Sequence, residues 1–253
     1  VLLAGGLGTR MREETEFRPK PMVEVGGRPV LWHIMKILAS QGIKDFVVCT
    51  GYKSEVIKNY FLNYKGASQD FTLTLGDSSS ATFHGSHDEY DWTVTVADTG
   101  LNTMTGGRIK MIQNYVDGER FLVTYGDGIA DISVPKLLDF HKAHGKIATV
   151  TTAQPSSRFG LVEVNSQGIV KAFREKPKVN DWINIGYFIF DPGIFSYLTS
   201  DSTLENEPLR RLTESGQIGA FKHTGFWEPM DTFREYQTLN GLWDSGKAPW
   251  KIW

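Results

Sequence analysis

The sequence predicts an α/β fold, a mostly parallel twisted sheet flanked by helices with one small β excursion. Three observations lead there. The apolar run Val1-Leu2-Leu3-Ala4 goes straight into Gly5-Gly6-Leu7-Gly8-Thr9-Arg10, a buried strand ending in glycines. Strand-like and helix-like patterns then alternate along the chain, the signature of βαβ units. A later apolar strand, Phe121 to Tyr125, ends in Gly126-Asp127-Gly128 and so delivers glycines and an acid to its carboxyl end.

After the glycine loop, Leu31, Ile34, Met35, Leu38 and Ala39 fall at helical spacing, and Gly42 stops the helix. His33 lies off that stripe and is expected on the helix surface. Asp45 to Thr50 is a second strand, followed by a helix from Ser54 to about Phe61. Residues 66–91 depart from the alternation. Phe71 to Leu75 is a strand, and the polar stretch after it, with His84 and His87, is expected to be a mobile or subunit-contacting loop rather than a metal site. Trp92 to Ala97 is a strand, and Thr103 to Tyr115 a helix with Met104, Ile109, Met111, Ile112 and Tyr115 mostly inward. Ser133 caps a helix carrying Val134, Leu137, Leu138 and His141 on one face, with His141 and His144 at its edge. Ile147 to Ala153 is a strand. Phe159 to Val164 and Ile169 to Phe173 flank Asn165-Ser166-Gln167-Gly168 as a hairpin. A strand begins at Ile183, a helix interrupted near Pro208 covers Leu204 to Glu214, and Gln217 to Lys222 is a short strand. Asp231 precedes a last helix reaching about Leu242, where it could serve simply as an N-cap. Trp243, Trp250 and Trp253 are expected to pack or to join subunits.

No repeat, low-complexity tract or linker divides the 253 residues, which are expected to form one domain with 66–91 as an inserted excursion and possible oligomer contact. Lys and Arg number 27 against 29 Asp and Glu, a net charge of −2, so no bulk basic field exists to hold nucleic acid by counterion release. The one cysteine, Cys49, sits in an apolar run and is expected to be a small core residue. No signal peptide or membrane span is evident, which points to a cytoplasmic protein. The chain starts close to the glycines, so the first strand is expected to lack a residue or a few.

The chemistry concentrates at the carboxyl edge. Glycines after a strand leave backbone N–H groups open to an anion. Arg10 adds a planar, permanently charged fork, and Lys20, framed in Pro19-Lys20-Pro21, a point charge. Two cations and a ring of donors suit a triphosphate. A P-loop is set aside because no Gly-Lys-Ser/Thr follows. A dinucleotide fingerprint is set aside because Met11 stands where a third glycine or alanine belongs. Asp127, between glycines at a strand end, suits a hard divalent cation such as Mg²⁺, which takes one or two protein carboxylates and completes its shell with phosphate oxygens and water. An Asx turn accounts for it equally well.

Gly5-Gly6-Leu7-Gly8-Thr9-Arg10, Lys20-Pro21-Met22-Val23 and Gly26-Gly27-Arg28-Pro29 together resemble the signature of the sugar-phosphate nucleotidylyltransferases, a Rossmann-like family. Glu13-Glu14-Thr15, Leu31-Trp32-His33-Ile34-Met35-Lys36 and Phe226-Trp227-Glu228-Pro229-Met230-Asp231-Thr232 resemble its glucose-1-phosphate cytidylyltransferase branch. The resemblance implies transfer of a cytidylyl group from CTP to glucose 1-phosphate with Mg²⁺. Arg10 and Lys20 would be catalytic, and Leu3, Ala4, Gly5, Gly6, Leu7, Gly8, Thr9, Thr103, Arg108 and Gly126 would lie with them around the nucleotide. It further implies Glu175, Lys176 and Asn184 at the sugar phosphate, and Asp127 and Asp231 as the two metal ligands. Ile185 stands where the family has the first of two glycines. A homo-oligomer, a hexamer built of trimers, and a place in O-antigen or lipopolysaccharide sugar synthesis are likewise implied. Two alternatives stay open: uridylyl or thymidylyl transfer to a sugar 1-phosphate, and a catalytically silent nucleotide-sensing domain of the same fold.

Overall fold

The structure is a computed structural model that describes residues 1–8, 11–157 and 159–253. Seven strands form the central sheet: β1 (Leu2–Leu3), β2 (Asp45–Thr50), β3 (Thr93–Asp98), β4 (Phe121–Tyr125), β6 (Ala148–Ala153), β7 (Ile183–Phe190) and β8 (Ile218–Lys222), with β5 (Gly128–Ala130) and β9 (Trp227–Pro229) pairing separately beside it. The order across the sheet is β8-β6-β7-β4-β1-β2-β3. Only β7 runs antiparallel to its neighbours β6 and β4. Leu3 stands between Cys49 and Tyr125 in register, which sets the loops after β1, β2 and β4 side by side at one edge. This is the crevice where open α/β sheets take ligands.

Alternation along each strand divides the core between the two faces of the sheet. Leu2, Val48, Leu122 and Ile189 join one apolar cluster, and Leu3, Cys49, Val123, Phe188 and Phe190 join the other. Cys49 is fully buried, and burial pushes its thiol up to about 12, so it stays protonated in the core.

Several elements differ from the sequence expectation. Helix α1 (Val30–Ala39) is buried over all ten residues instead of along one stripe. The C-terminal segment covers its outer face, with Trp243, Trp250 and Trp253 gathered around His33. His33 is therefore a core residue, 0% exposed, and not a surface one. Helix α3 is only Thr105–Met111, followed by a 3₁₀ turn at Gln113–Tyr115. Ile109 and Ile112 are inward, while Met104, Met111 and Tyr115 are exposed. The excursion folds as a hairpin, Asp70–Thr74 with Asp77–His84, after a short helix at Tyr64–Ser68. Ahead of it, α2 spans Ser54–Leu62. In α4 (Val134–His144), His141 is buried rather than at the helix edge, bonding Thr149 Oγ1 and Asp191 Oδ1. Helix α5 (Glu207–Glu214) has Pro208 in its first turn, where proline costs no hydrogen bond, so there is no interruption. The last helix, α6 (Phe233–Asp244), is capped by Thr232 and not by Asp231. Among the described residues no helix is long and apolar enough to cross a membrane.

His33 makes acid stability a test of this packing. Its Nε2 donates to Val25 O at 2.8 Å and its Nδ1 accepts from Trp250 Nε1 at 3.4 Å, so a second proton would meet an N–H. Burial lowers the imidazole to about 4. The folded value lies below the unfolded one, so the stabilisation is complete above about pH 6.5 and is lost as pH falls toward 4, by about 3 kcal/mol. In urea titrations between pH 7 and 4, His33→Gln should lack this part of the slope. An unchanged slope would remove His33 as its source.

Candidate functional site

The carboxyl ends of β1 and β4 open into a cleft of about 520 Å³. Leu3, Ala4, Gly5, Gly6, Leu7, Gly8, Lys20, Thr103, Arg108, Gly126 and Asp127 all line it. Thr9 and Arg10 lie outside the described residues. A slightly larger hollow of about 560 Å³ beside α2 and β3 is lined mainly by aromatic and aliphatic side chains and has no glycine loop.

Several of the site's glycines have a physical reason of their own. Gly8 sits at φ +62°, and a Cβ there would stand 3.0 Å from Thr15 Cγ2 and 3.2 Å from Lys20 Cβ. Thr15, buried seven residues on, has its hydroxyl within hydrogen-bond reach of both Gly8 O and Met11 O and fixes the loop. Where Gly6 would carry a Cβ there is open space. Gly126 lets Pro21 approach: a Cβ would lie 2.9 Å from Pro21 Cγ. That contact seats the 3₁₀ turn Lys20–Met22 against the end of β4 and brings Lys20 beside Asp127.

Asp127 and Asp231, 104 positions apart, meet through the β5–β9 pair. Gly128 faces Pro229 and Ile129 faces Glu228 in antiparallel register, and Met230 N donates to Asp127 O at 2.9 Å. Both carboxylates converge on one ammonium. Lys20 Nζ donates to Asp127 Oδ2 at 2.6 Å and to Asp231 Oδ1. The Lys20 side chain is 10% exposed, Asp231 16% and Asp127 31%, so the junction is shielded on one side and open to the cleft on the other. Among the described residues, the junction sets both carboxylates against the Lys20 ammonium. Among the described residues no three His, Cys, Asp or Glu side chains gather to hold a metal. A pair of carboxylate oxygens at the mouth of an anion cleft still fits Mg²⁺, whose remaining ligands come from phosphate and water.

Arg108 is placed differently from a simple nucleotide contact. It is 4% exposed, and its guanidinium donates to the carbonyls of Thr50, Gly100, Gly5 and Leu101 and to Thr99 Oγ1. Gly5 is a glycine because of it: a Cβ would stand 2.1 Å from Arg108 Nη1, and one on Gly51 would meet Gly100 O at 2.6 Å as well as Arg108 Nη1 at 2.7 Å. Arg108 thus ties together the loops after β1, β2 and β3. The N–H of Gly107 is taken by Ser202 O, and a Cβ on Gly106 would meet Ser202, so these two glycines admit the 199–204 segment rather than a ligand. Replacing Arg108 with Ala strands several buried carbonyls, and Tm should fall by about 10 °C along with nucleotide affinity. An unchanged Tm with weakened binding alone would restore a pure ligand contact.

The sugar-phosphate candidates do not gather into the same junction. Asn184 does not line the cleft, and its Oδ1 accepts from Gly186 N at 2.8 Å. Gly186, at φ +82°, leaves room for the Tyr125 ring. Ile185 points into the core and is 3% exposed, so its side chain takes no space at the edge. Glu175 and Lys176 follow the second strand of a separate hairpin, Leu161–Val164 with Val170–Arg174. Lys176 Nζ lies 3.7 Å from Glu175 Oε1, both side chains are exposed, and Lys176 holds φ +43°, an unusual conformation for a non-glycine residue. Among the described residues no hydrogen bond or ion pair joins them to Lys20.

Sequence reasoning missed Tyr125 and Glu205. The Tyr125 hydroxyl donates to Glu205 Oε1, and Thr105 Oγ1 donates to Glu205 Oε2 at 2.7 Å, tying the cleft wall to the segment before α5. The position of Tyr125, directly before Gly126-Asp127, was the available signal.

A family model of nucleotidyl transferases matches residues 1–236. The sequence is 50% identical over 256 aligned positions to a glucose-1-phosphate cytidylyltransferase of Salmonella typhimurium, covering 100% of this chain and 98% of that protein. It is 40% identical to a protein of Bacillus subtilis named probable glucose-1-phosphate cytidylyltransferase, covering 100% and 99%. Among solved structures, HddC from Yersinia pseudotuberculosis superposes with a TM-score of 0.69 at 22% identity, over 96% of this chain and 97% of that one. A UDP-glucose pyrophosphorylase complexed with UDP-glucose superposes at 0.67 and 18% identity, over 97% of each. At those identities the structural likeness speaks for the mixed α/β fold.

Proposed function

Because the chain belongs to the nucleotidyl transferase family, we propose that it transfers the cytidylyl group of CTP to α-D-glucose 1-phosphate, giving CDP-glucose and pyrophosphate. The observation that carries the reaction class is the meeting of Lys20, Asp127 and Asp231 at the mouth of a glycine-lined cleft. The choice of base and sugar rests on the two cytidylyltransferase relatives, which match the chain from end to end.

In this reading a phosphate oxygen of the sugar phosphate forms a bond to the α-phosphorus of CTP, and the bond from that phosphorus to the bridging oxygen breaks. The electron pair leaves with pyrophosphate. The attacking oxygen is already ionised, so no protein nucleophile and no general base is needed. The difficulty is electrostatic, since two anions must meet. Lys20 neutralises phosphate charge and helps hold the reactants in line. The glycine-loop N–H groups and Arg10 stabilise the charge growing on pyrophosphate. Asp127 and Asp231 hold Mg²⁺, which when bound supplies Lewis-acid neutralisation of phosphate oxygens. Thr103 and the Arg108-braced wall flank the nucleotide, while Asn184, Glu175 and Lys176 receive the sugar phosphate. Assembly into a homo-oligomer and a role in supplying activated sugar for surface polysaccharide belong to the same reading.

The test is product identification. CTP, glucose 1-phosphate and Mg²⁺ incubated with the protein should yield a compound with the mass of CDP-glucose, together with pyrophosphate. Retained CTP binding without product from any nucleoside triphosphate would overturn the reading in favour of a sensor.

A further inference from the structure

The peptide units on both sides of Asp231 are held by one oxygen. Glu235, in the first turn of α6, accepts at Oε2 from Asp231 N at 2.7 Å and from Thr232 N at 2.9 Å. The first N–H belongs to the peptide before the Asp231 Cα and the second to the peptide after it. A capping box requires only the bond to the N-cap N–H, here Thr232, with Thr232 Oγ1 accepting in return from Glu235 N at 3.5 Å. The bond to Asp231 N lies outside that requirement. The residue before is fixed as well, by Met230 N on Asp127 O and a fully buried Met230 side chain. With its two flanking peptides pinned, the Cα–Cβ direction of Asp231 is set, and its carboxylate faces Lys20 Nζ.

We infer that Glu235 is a positioning residue that aims the Asp231 carboxylate at Lys20 and at the divalent cation, an assignment that rests on the proposed metal role of Asp231. Glu235 does this through the backbone, so a side chain that only caps the helix does not replace it. Gln keeps one oxygen able to accept both N–H groups. Ala keeps none. Thr232→Ala removes the other half of the box while leaving both bonds to Glu235 Oε2, and so separates helix capping from positioning.

The measurement is Mn²⁺ binding to the full chain in the presence of CTP, read from the electron paramagnetic resonance signal of the free ion, with Tm recorded for each variant. Asp231→Asn serves as the reference. Glu235→Ala should weaken Mn²⁺ binding about 10-fold, and Glu235→Gln should restore it to within about two-fold of the parent. Thr232→Ala should lower Tm while leaving Mn²⁺ affinity at the parent value. Parent-like affinity in Glu235→Ala, or an equal loss in Thr232→Ala, overturns the inference. Parent-like affinity in Asp231→Asn overturns the metal reading itself, and the inference with it. If Glu235→Ala does not fold, Glu235→Asp, one methylene too short to reach Asp231 N, takes its place with the same two outcomes.

Discussion

Lys20→Met lowers kcat/KM for CTP by about 10²–10³, the loss expected when a cation aimed at developing phosphate charge is removed. The side chain is nearly the same length and apolar, so the 3₁₀ turn held by Pro21 on Gly126 persists. What disappears is the charge between Asp127 and Asp231. Both acids bond the same nitrogen and so lie no more than about 6 Å apart, where two unit charges repel by about 3 kcal/mol at an effective dielectric near 20. The substrate-free variant should therefore lose several degrees of Tm and bind Mn²⁺ more tightly than the parent while turning over more slowly. Near-normal turnover would remove Lys20 from the chemistry. Weaker Mn²⁺ binding would show that Lys20 serves to build the cation site rather than to meet phosphate.

Asp127→Asn and Asp231→Asn each lower kcat about 100-fold or more and raise the Mg²⁺ concentration for half-maximal rate about 10-fold. The amide fills the same volume, so the β5–β9 ladder and the Met230 N to Asp127 O bond remain. Each substitution removes one charge partner of Lys20 together with the repulsion between the two acids, so Tm should stay within a few degrees of the parent while function is lost. The two acids act as one unit, and the double variant should cost much less than the product of the single losses. Steady-state rates against Mg²⁺ check this, and unchanged Mg²⁺ saturation in either variant would contradict its assignment as a ligand.

What was legible in the sequence was local. The run into Gly5-Gly6-Leu7-Gly8, the glycine-framed Asp127 and the proline-framed Lys20 each announce an edge of the sheet through a few neighbouring residues, and the alternation of strands and helices orders them. The rest depends on contacts far apart in the chain. His33 reads as a surface residue because the side chain that buries it, Trp250, is 217 positions away. The resemblance makes Arg108 a nucleotide contact, and its bracing role is hidden because its acceptors, Gly5, Thr50 and residues 99–101, come from three other loops. Without the resemblance Asp231 reads as a helix cap, a place that Thr232 holds in the structure. Glu175 and Lys176 follow a hairpin whose placement no periodicity encodes, and among the described residues no ion pair joins them to Lys20.

The most direct test is pyrophosphate release with glucose 1-phosphate and Mg²⁺, run in parallel with CTP, UTP, dTTP, ATP and GTP. The account predicts kcat/KM for CTP above that for each of the others by about 10- to 100-fold, the discrimination that a few hydrogen bonds to a base edge supply. Equal or faster release with UTP or dTTP would keep the chemistry at Lys20, Asp127 and Asp231 and contradict the cytidylyl assignment.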